Sequence, residues 1–397
     1  MLAPPRQPAQ RPRPGRLTPR RRGPVRSRAR RIRRIALLTA VLCLVPAIVS
    51  YAGAVAQQSN TTLGIRTVEW MRDNGARGLV NYVENLYYSL NAPPKGGPAL
   101  RALPKQAGAA GATAAVRHPG IVAHYEPPPI RPLTSHPLPG EGLWRTTFAG
   151  GGSRPPLLIT SFRPDPANYP QLVAGVAWID HTRTSVSLIP GRLEPAVSLP
   201  ARGPMEVPFN KRSQLVATFN SGFKLSDSGG GFALDGHTYA PLQHGVGTIV
   251  RYSDGRVNVV AWPGGSSAGP DAVYARQNLP LIVNHGHPNP NLSDGPEWGA
   301  TLGNAIQVWR SAVGIDAHGN LIYAAANDQT VRSLAAVMIH AGAVRAMELD
   351  INSEWTTLNA YKFPGARDSS KLLPDMSQPS SRYLTPDDRD FFAVYLR

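Results

Sequence analysis

The run Ile35–Val55, IALLTAVLCLVPAIVSYAGAV, carries no charged residue, and it constrains this chain more than any other feature. About 20 consecutive apolar residues match the hydrocarbon thickness of a bilayer. The segment 1–34 before it contains 13 arginines and no acidic residue. Arginines on the N-terminal flank of an apolar span place that end in the cytoplasm and the rest of the chain outside. Most of the formal net charge of +17 therefore belongs to the tail. The basic balance is a membrane flank with affinity for anionic lipid, and no nucleic-acid partner is expected. The tail is rich in Pro and Arg and cannot bury enough surface to fold, so 1–34 is expected to be disordered.

The run 35–55 has two possible fates. Ala54-Val55-Ala56 before Gln57 fits a signal-peptidase site, which would release the chain after Ala56. The long basic flank and full spanning length favour a retained single-pass anchor. Cys43, the only cysteine, lies inside the run. The exported part therefore folds without disulfides or thiol chemistry, on an ordinary hydrophobic core.

Beyond the span, 56–91 shows helical spacing in two short pieces. Ile65, Val68 and Met71 mark one apolar face, and Leu79, Val80, Val83, Leu86 and Tyr87 another, with Asn74-Gly75 between them. The aromatic-rich face is suited to a membrane surface or to packing against the main domain or a partner. Residues 92–141 are dominated by Pro, Gly and Ala and read as a linker.

The texture of a folded domain begins at about Gly142 and runs to Arg397. Strand-like runs occupy 156–162, 172–180 and 185–191. Hairpins are predicted at Asp254-Gly255, Asp235-Gly236 and His318-Gly319-Asn320. Leu334, Val337, Met338 and Ala341 keep the period of a buried helix that stops at Gly342. A short strand after it delivers Asp350 to its C-terminal end. The predicted fold is α+β: a mostly antiparallel or mixed sheet with a few packed helices, preceded by one transmembrane helix.

Three segments together resemble the phosphodiester glycosidase family. Ala217-Thr-Phe-Asn220-Ser-Gly222-Phe223 is similar to its Asn-Gly-Gly-Phe-Phe signature. Trp309-Arg310-Ser-Ala-Val-Gly314-Ile-Asp316 is similar to its Arg-Thr-Ala-Ile-Gly-Ile signature. Ser333 to Gly342, continuing through Ala346-Met-Glu-Leu349-Asp350, is similar to its helix–Gly–Ala–Leu-Asp run. The resemblance covers roughly 215–360. It departs where the family follows Leu-Asp with a glycine-rich loop, because this chain has Ile351-Asn352-Ser353-Glu354-Trp355.

The resemblance implies cleavage of a sugar-1-phosphodiester to free sugar and phosphomonoester. That chemistry needs a hold on the phosphate and carboxyl groups at the anomeric carbon. Asp350 and Glu354 are the catalytic candidates. Arg310, with its planar fork of donors, is the candidate for the phosphate, and Asn220, Gly222 and Asn352 are the other substrate-binding candidates. His285-Gly-His287 is a weak metal signal, so neither a metal nor another cofactor is expected. The expected function is a cell-envelope hydrolase acting on a carbohydrate or phosphoglycan partner. The alternative is a non-catalytic glycan- or phosphoglycan-binding envelope protein on the same fold, favoured by the altered loop.

Overall fold

The computed structural model describes residues 25–57, 59–90, 93–106, 125–147, 154–200, 202–299, 306–362 and 364–397. They divide into two compact units, Met1–Ala56 and Gln57–Arg397. In the first, α1 (Val25–Ala56) contains Pro46, and its Arg28–Ala56 portion is long and apolar enough to cross a membrane. Part of the expected basic tail, residues 1–24, lies outside the described residues.

The second unit opens with the two expected helices, α2 (Leu63–Asp73) and α3 (Arg77–Leu90). Thr62 caps α2 by accepting from the Ile65 amide, and Gly75 takes a positive φ of 89° at the break. Strands β1 (Arg145–Thr146), β2 (Leu157–Phe162), β3 (Ala174–Ile179), β4 (Thr184–Ile189) and β5 (Leu215–Asn220) follow. The short helix α4 (Leu225–Ser228) leads to β6 (Phe232–Leu234), β7 (His237–Ala240), β8 (Val246–Tyr252) and β9 (Val257–Ala261). Then come the long β10 (Ala272–Asn284), β11 (His287–Pro288), β12 (Val308–Ile315) and β13 (Leu321–Gln329). Helix α5 (Val331–His340), β14 (Arg345–Glu348), β15 (Leu358–Tyr361), β16 (Ser369–Lys371) and β17 (Phe391–Leu396) complete the chain.

Among the described residues these strands form a twelve-stranded sheet and a five-stranded sheet of order β16-β15-β5-β17-β4. The expected α+β architecture with antiparallel pairing is what the structure has. The three predicted hairpins are β8–β9, β6–β7 and β12–β13, and the predicted helix is α5.

The sheets pack face to face because each strand spends alternate residues on two different cores. In β2, Leu157 and Ile159 enter the core shared with Val186, Phe219, Leu358 and Phe392 of the smaller sheet. Leu158 and Phe162 point the other way, against Leu334, Val337 and Met338 of α5. A third cluster, including Tyr361, Tyr383, Phe391 and Tyr395, covers the outer face of the smaller sheet. With both faces covered, β2 is buried along its whole length, which is why apolar residues fall on both of its faces.

The segment read as a linker is in part built into this unit. Gln106 is buried and donates to the carbonyls of Thr160 and Leu372. Tyr125 stacks on His318, Ile130 is buried in the α5 core, and Glu141 pairs with Arg163 at 2.9 Å. Its residues 107–124 lie outside those described.

Candidate active site

Two loops that leave the sheets side by side build the site. One follows β5 through Ser221, Gly222 and Phe223 into α4. The other follows β14 through Leu349 and Asp350. They are tied by the Asp350 amide donating to the Ser221 carbonyl at 3.3 Å, and by Ser311 Oγ donating to the Asp350 carbonyl at 2.8 Å. A third loop, Asp387–Asp390, enters β17. Because β17 pairs with β5 in the register Phe391–Asn220, Arg389 arrives beside Gly222.

Arg389 Nη2 donates to Asp350 Oδ2 at 2.7 Å and to the Gly222 carbonyl at 3.0 Å. Its Nε is buried with no hydrogen-bond partner among the described residues. Burial pushes the Asp350 carboxyl above its ordinary value, against the pull of Arg389. Behind the pair, Arg382 grips Asp387 through Nε and Nη2 at 2.7 and 3.1 Å. The Trp355 ring lies under both guanidinium groups, with centroid distances of 5.0 Å to Arg382 and 5.1 Å to Arg389.

Asp350, Asn352, Trp355 and Arg389 line a cavity of about 610 Å³, whose wall also includes Phe223 and Lys224. Its other side is made by α2 and α3, which contribute Glu69, Arg72, Arg77 and Asn81. Glu69 bonds Lys224 and accepts from Arg72 at 2.7 Å. Burial pushes Glu69 up, but the Lys224 pair and hydrogen bond, helped by Arg72, outweigh it and hold the carboxyl below its ordinary value. The chain before α2 is stitched to the loop that carries Arg389. Ser59 Oγ donates to Asp388 at 2.9 Å, and Asn60 Nδ2 donates to Asp387 at 3.0 Å and to the Arg382 carbonyl at 2.6 Å.

The cavity takes some of the sequence candidates and not others. Asp350 and Asn352 line it. In place of a glycine-rich loop, their side chains cap successive turns: Asp350 Oδ1 accepts from the Asn352 amide at 3.0 Å, and Asn352 Oδ1 from the Glu354 amide at 2.9 Å. Glu354 is outside the lining, where its Oε2 accepts from Gln378 at 3.3 Å.

Arg310 is also outside the lining, and its fork is turned into the sheet. It donates to Glu348 Oε1 at 2.6 Å and to the carbonyls of Gln329, Trp298 and Ile306 at 2.8, 3.1 and 3.3 Å. Its donors are spent inside the sheet. Asn220 is likewise buried as a clamp between the two sheets: it donates to Ser311 and accepts from Tyr323 and Thr357. Gly222 is required by packing, since a Cβ there would stand 2.8 Å from the Asn278 side chain. His285 and His287 are exposed at the β10–β11 turn, away from the cavity.

Sequence reasoning missed Glu69, Lys224 and Arg389. Glu69 lies in the helical period of 63–90, Lys224 directly follows the Asn220–Phe223 segment, and Arg389 sits in the acidic-basic run before β17.

Among solved structures, the chain is similar to the zebrafish N-acetylglucosamine-1-phosphodiester alpha-N-acetylglucosaminidase catalytic domain auto-inhibited by its pro-peptide. That likeness has 17% identity and a TM-score of 0.41, covering 63% of this chain and 86% of that one. A hypothetical protein from Synechocystis is similar at 13% identity and a TM-score of 0.33, covering 57% of this chain and 59% of that one. A putative exported protein from Burkholderia pseudomallei K96243 follows at 14% and 0.31, with coverage of 57% and 74%. Among curated proteins there is no match. The family resemblance carried by the segments around Asn220, Arg310 and Asp350 is borne out, for residues 213–357 match the family model described as phosphodiester glycosidase.

Proposed function

We propose that this chain is a cell-envelope hydrolase that cleaves a sugar-1-phosphodiester at its glycosidic bond, in a glycopolymer or glycolipid. One observation carries the reading: Asp350, at the end of the family-matched segment, shares a cavity wall with Lys224 and Arg389. Lys224 and Arg389 hold the phosphate, taking the role first given to Arg310. Arg389 lines that wall, fixed by Asp350 and the Gly222 carbonyl, and charged donors fixed where phosphate charge builds up are usually the largest contribution such a site makes. Asp350 acts at the anomeric centre, with Asn352 and the Trp355 ring beside it for the sugar. The envelope setting rests on the apolar α1 behind its arginine-rich flank.

The test is the full chain in detergent against a panel of sugar-1-phosphodiesters, reading reducing sugar and phosphomonoester together. Turnover is expected, with Asp350→Asn losing it and Lys224→Gln raising KM. A second reading, phosphoglycan binding without turnover, is favoured by Ile351. That residue packs with Phe223 and Val308 where the family has glycine. Retention of a sugar phosphate by a folded chain that turns over no member of the panel would select it.

A further inference from the structure

Cleavage at an anomeric carbon uses two carboxyl groups in different protonation states, and Glu354 does not reach the cavity. The carboxyls on the wall besides Asp350 are Glu69, Asp227 and Glu297. Asp227, on the short α4, and Glu297, on a 3-10 turn of helix, are exposed. Glu69 is mostly buried between Lys224 and Arg72, and it lies within electrostatic reach of both members of the Asp350–Arg389 pair.

We infer that Glu69, on α2 and outside the family-matched segment, is the second carboxylate of the site, facing the positive charge that develops at the sugar's anomeric carbon. This rests on the hydrolase reading above. Two cations hold Glu69 ionised at the place where a cationic centre forms, while Asp350, buried at the end of its strand, is the carboxyl that moves a proton. Their environments push the two groups in opposite directions, Glu69 down and Asp350 up, which is the arrangement that divides such roles.

In the step itself the anomeric C–O bond breaks, its electron pair leaves on the phosphate oxygen, and that oxygen takes the Asp350 proton. Water then forms the new bond to carbon and gives one proton back to the Asp350 carboxylate. A free sugar and a phosphomonoester depart, and both carboxyls are restored. The site is then complete only with the helix that follows the membrane run, and the catalytic unit begins at 57 instead of 142.

The experiment uses the full chain in detergent with Glu69→Gln and Glu69→Ala, on whichever panel substrate the wild type turns over. Gln keeps an acceptor for Lys224 and removes only the charge. The expected result is a kcat lower by about 100-fold or more with KM changed far less. Added formate or azide is expected to restore rate to Glu69→Ala, which a packing role would not produce. Turnover by Glu69→Gln within about tenfold of wild type overturns the inference and leaves the hydrolase reading standing. Faster turnover also overturns it, by making Glu69 an obstruction of the phosphate cations. Silence of the wild type across the panel removes the reading and the inference together.

Discussion

Replacing Arg310 by Met separates the two roles that this arginine has been given. Methionine keeps the apolar stem but removes every donor. Glu348, 0% exposed, then loses its ion-pair partner, and the carbonyls of Gln329, Trp298 and Ile306 lose a donor as well. Removing one partner of a buried, hydrogen-bonded pair costs about 3–5 kcal/mol, because Glu348 and three carbonyls lose their donors at once and any charge on Glu348 loses its compensation. That is a large share of the about 5–15 kcal/mol by which domains are stable.

The loss has a pH signature. Burial pushes Glu348 up to about 7 even with Arg310 beside it, and without Arg310 the carboxyl rises further. A raised carboxyl costs stability as pH climbs through the interval between its unfolded and folded values. In the wild type that cost is complete near pH 7. In the variant it keeps growing above pH 7, so the gap between the two proteins widens toward alkaline pH by up to about 1.4 kcal/mol per unit of further rise. Urea unfolding of residues 57–397 followed by tryptophan fluorescence, at pH 5.5, 7 and 8.5, measures it. The double variant Arg310→Met, Glu348→Met is expected to recover most of the loss, since an apolar pair of similar volume replaces a buried ion pair at little cost. A single variant within about 1 kcal/mol of wild type at every pH, but with a raised KM for a phosphodiester, would refute this reasoning and return Arg310 to the phosphate.

Three other outcomes are expected. A chain truncated to 142–397 loses Ser59, Asn60 and Glu69 from the wall and from the loop that carries Arg389; it should show a lower melting temperature than 57–397 and no turnover on a substrate that 57–397 cleaves. Gly222→Ala puts a methyl 2.8 Å from Asn278, so unfolding should show a loss of about 1–3 kcal/mol. Asp328 is raised to about 6 by burial and by Asp375, and its ionisation costs stability as pH rises toward 6. Asn, which tolerates the positive φ of 54° there, should raise the melting temperature at pH 8 and change it little at pH 4.

How much of this was legible depends on the range over which each feature is encoded. Turns and periods are local, so β2, the hairpins, α5 and the two helices at 63–90 could be read directly. The Pro- and Gly-rich stretch before the domain hid its anchors, because single residues such as Gln106 and Ile130 carry no period. The cavity joins positions 69, 224, 350 and 389, and no window of sequence spans them. Their meeting is set by strand register: Phe391 lies opposite Asn220, which carries Arg389 to Gly222. Asp350 was readable because a strand end is a local event.

The sheet makes plain why Arg310 lies away from the cavity. In the β12–β14 pairing Ala312 lies opposite Glu348, so Arg310, two residues along and on the same face, is the diagonal neighbour of a glutamate. An arginine and a glutamate at matching parity on strands that pair inside a sheet covered on both faces will neutralise each other before either meets a ligand. The arginines on the cavity wall lie outside that pairing: Arg389, bonded to Asp350, on a loop at the strand ends, and Arg72 and Arg77 on the two helices.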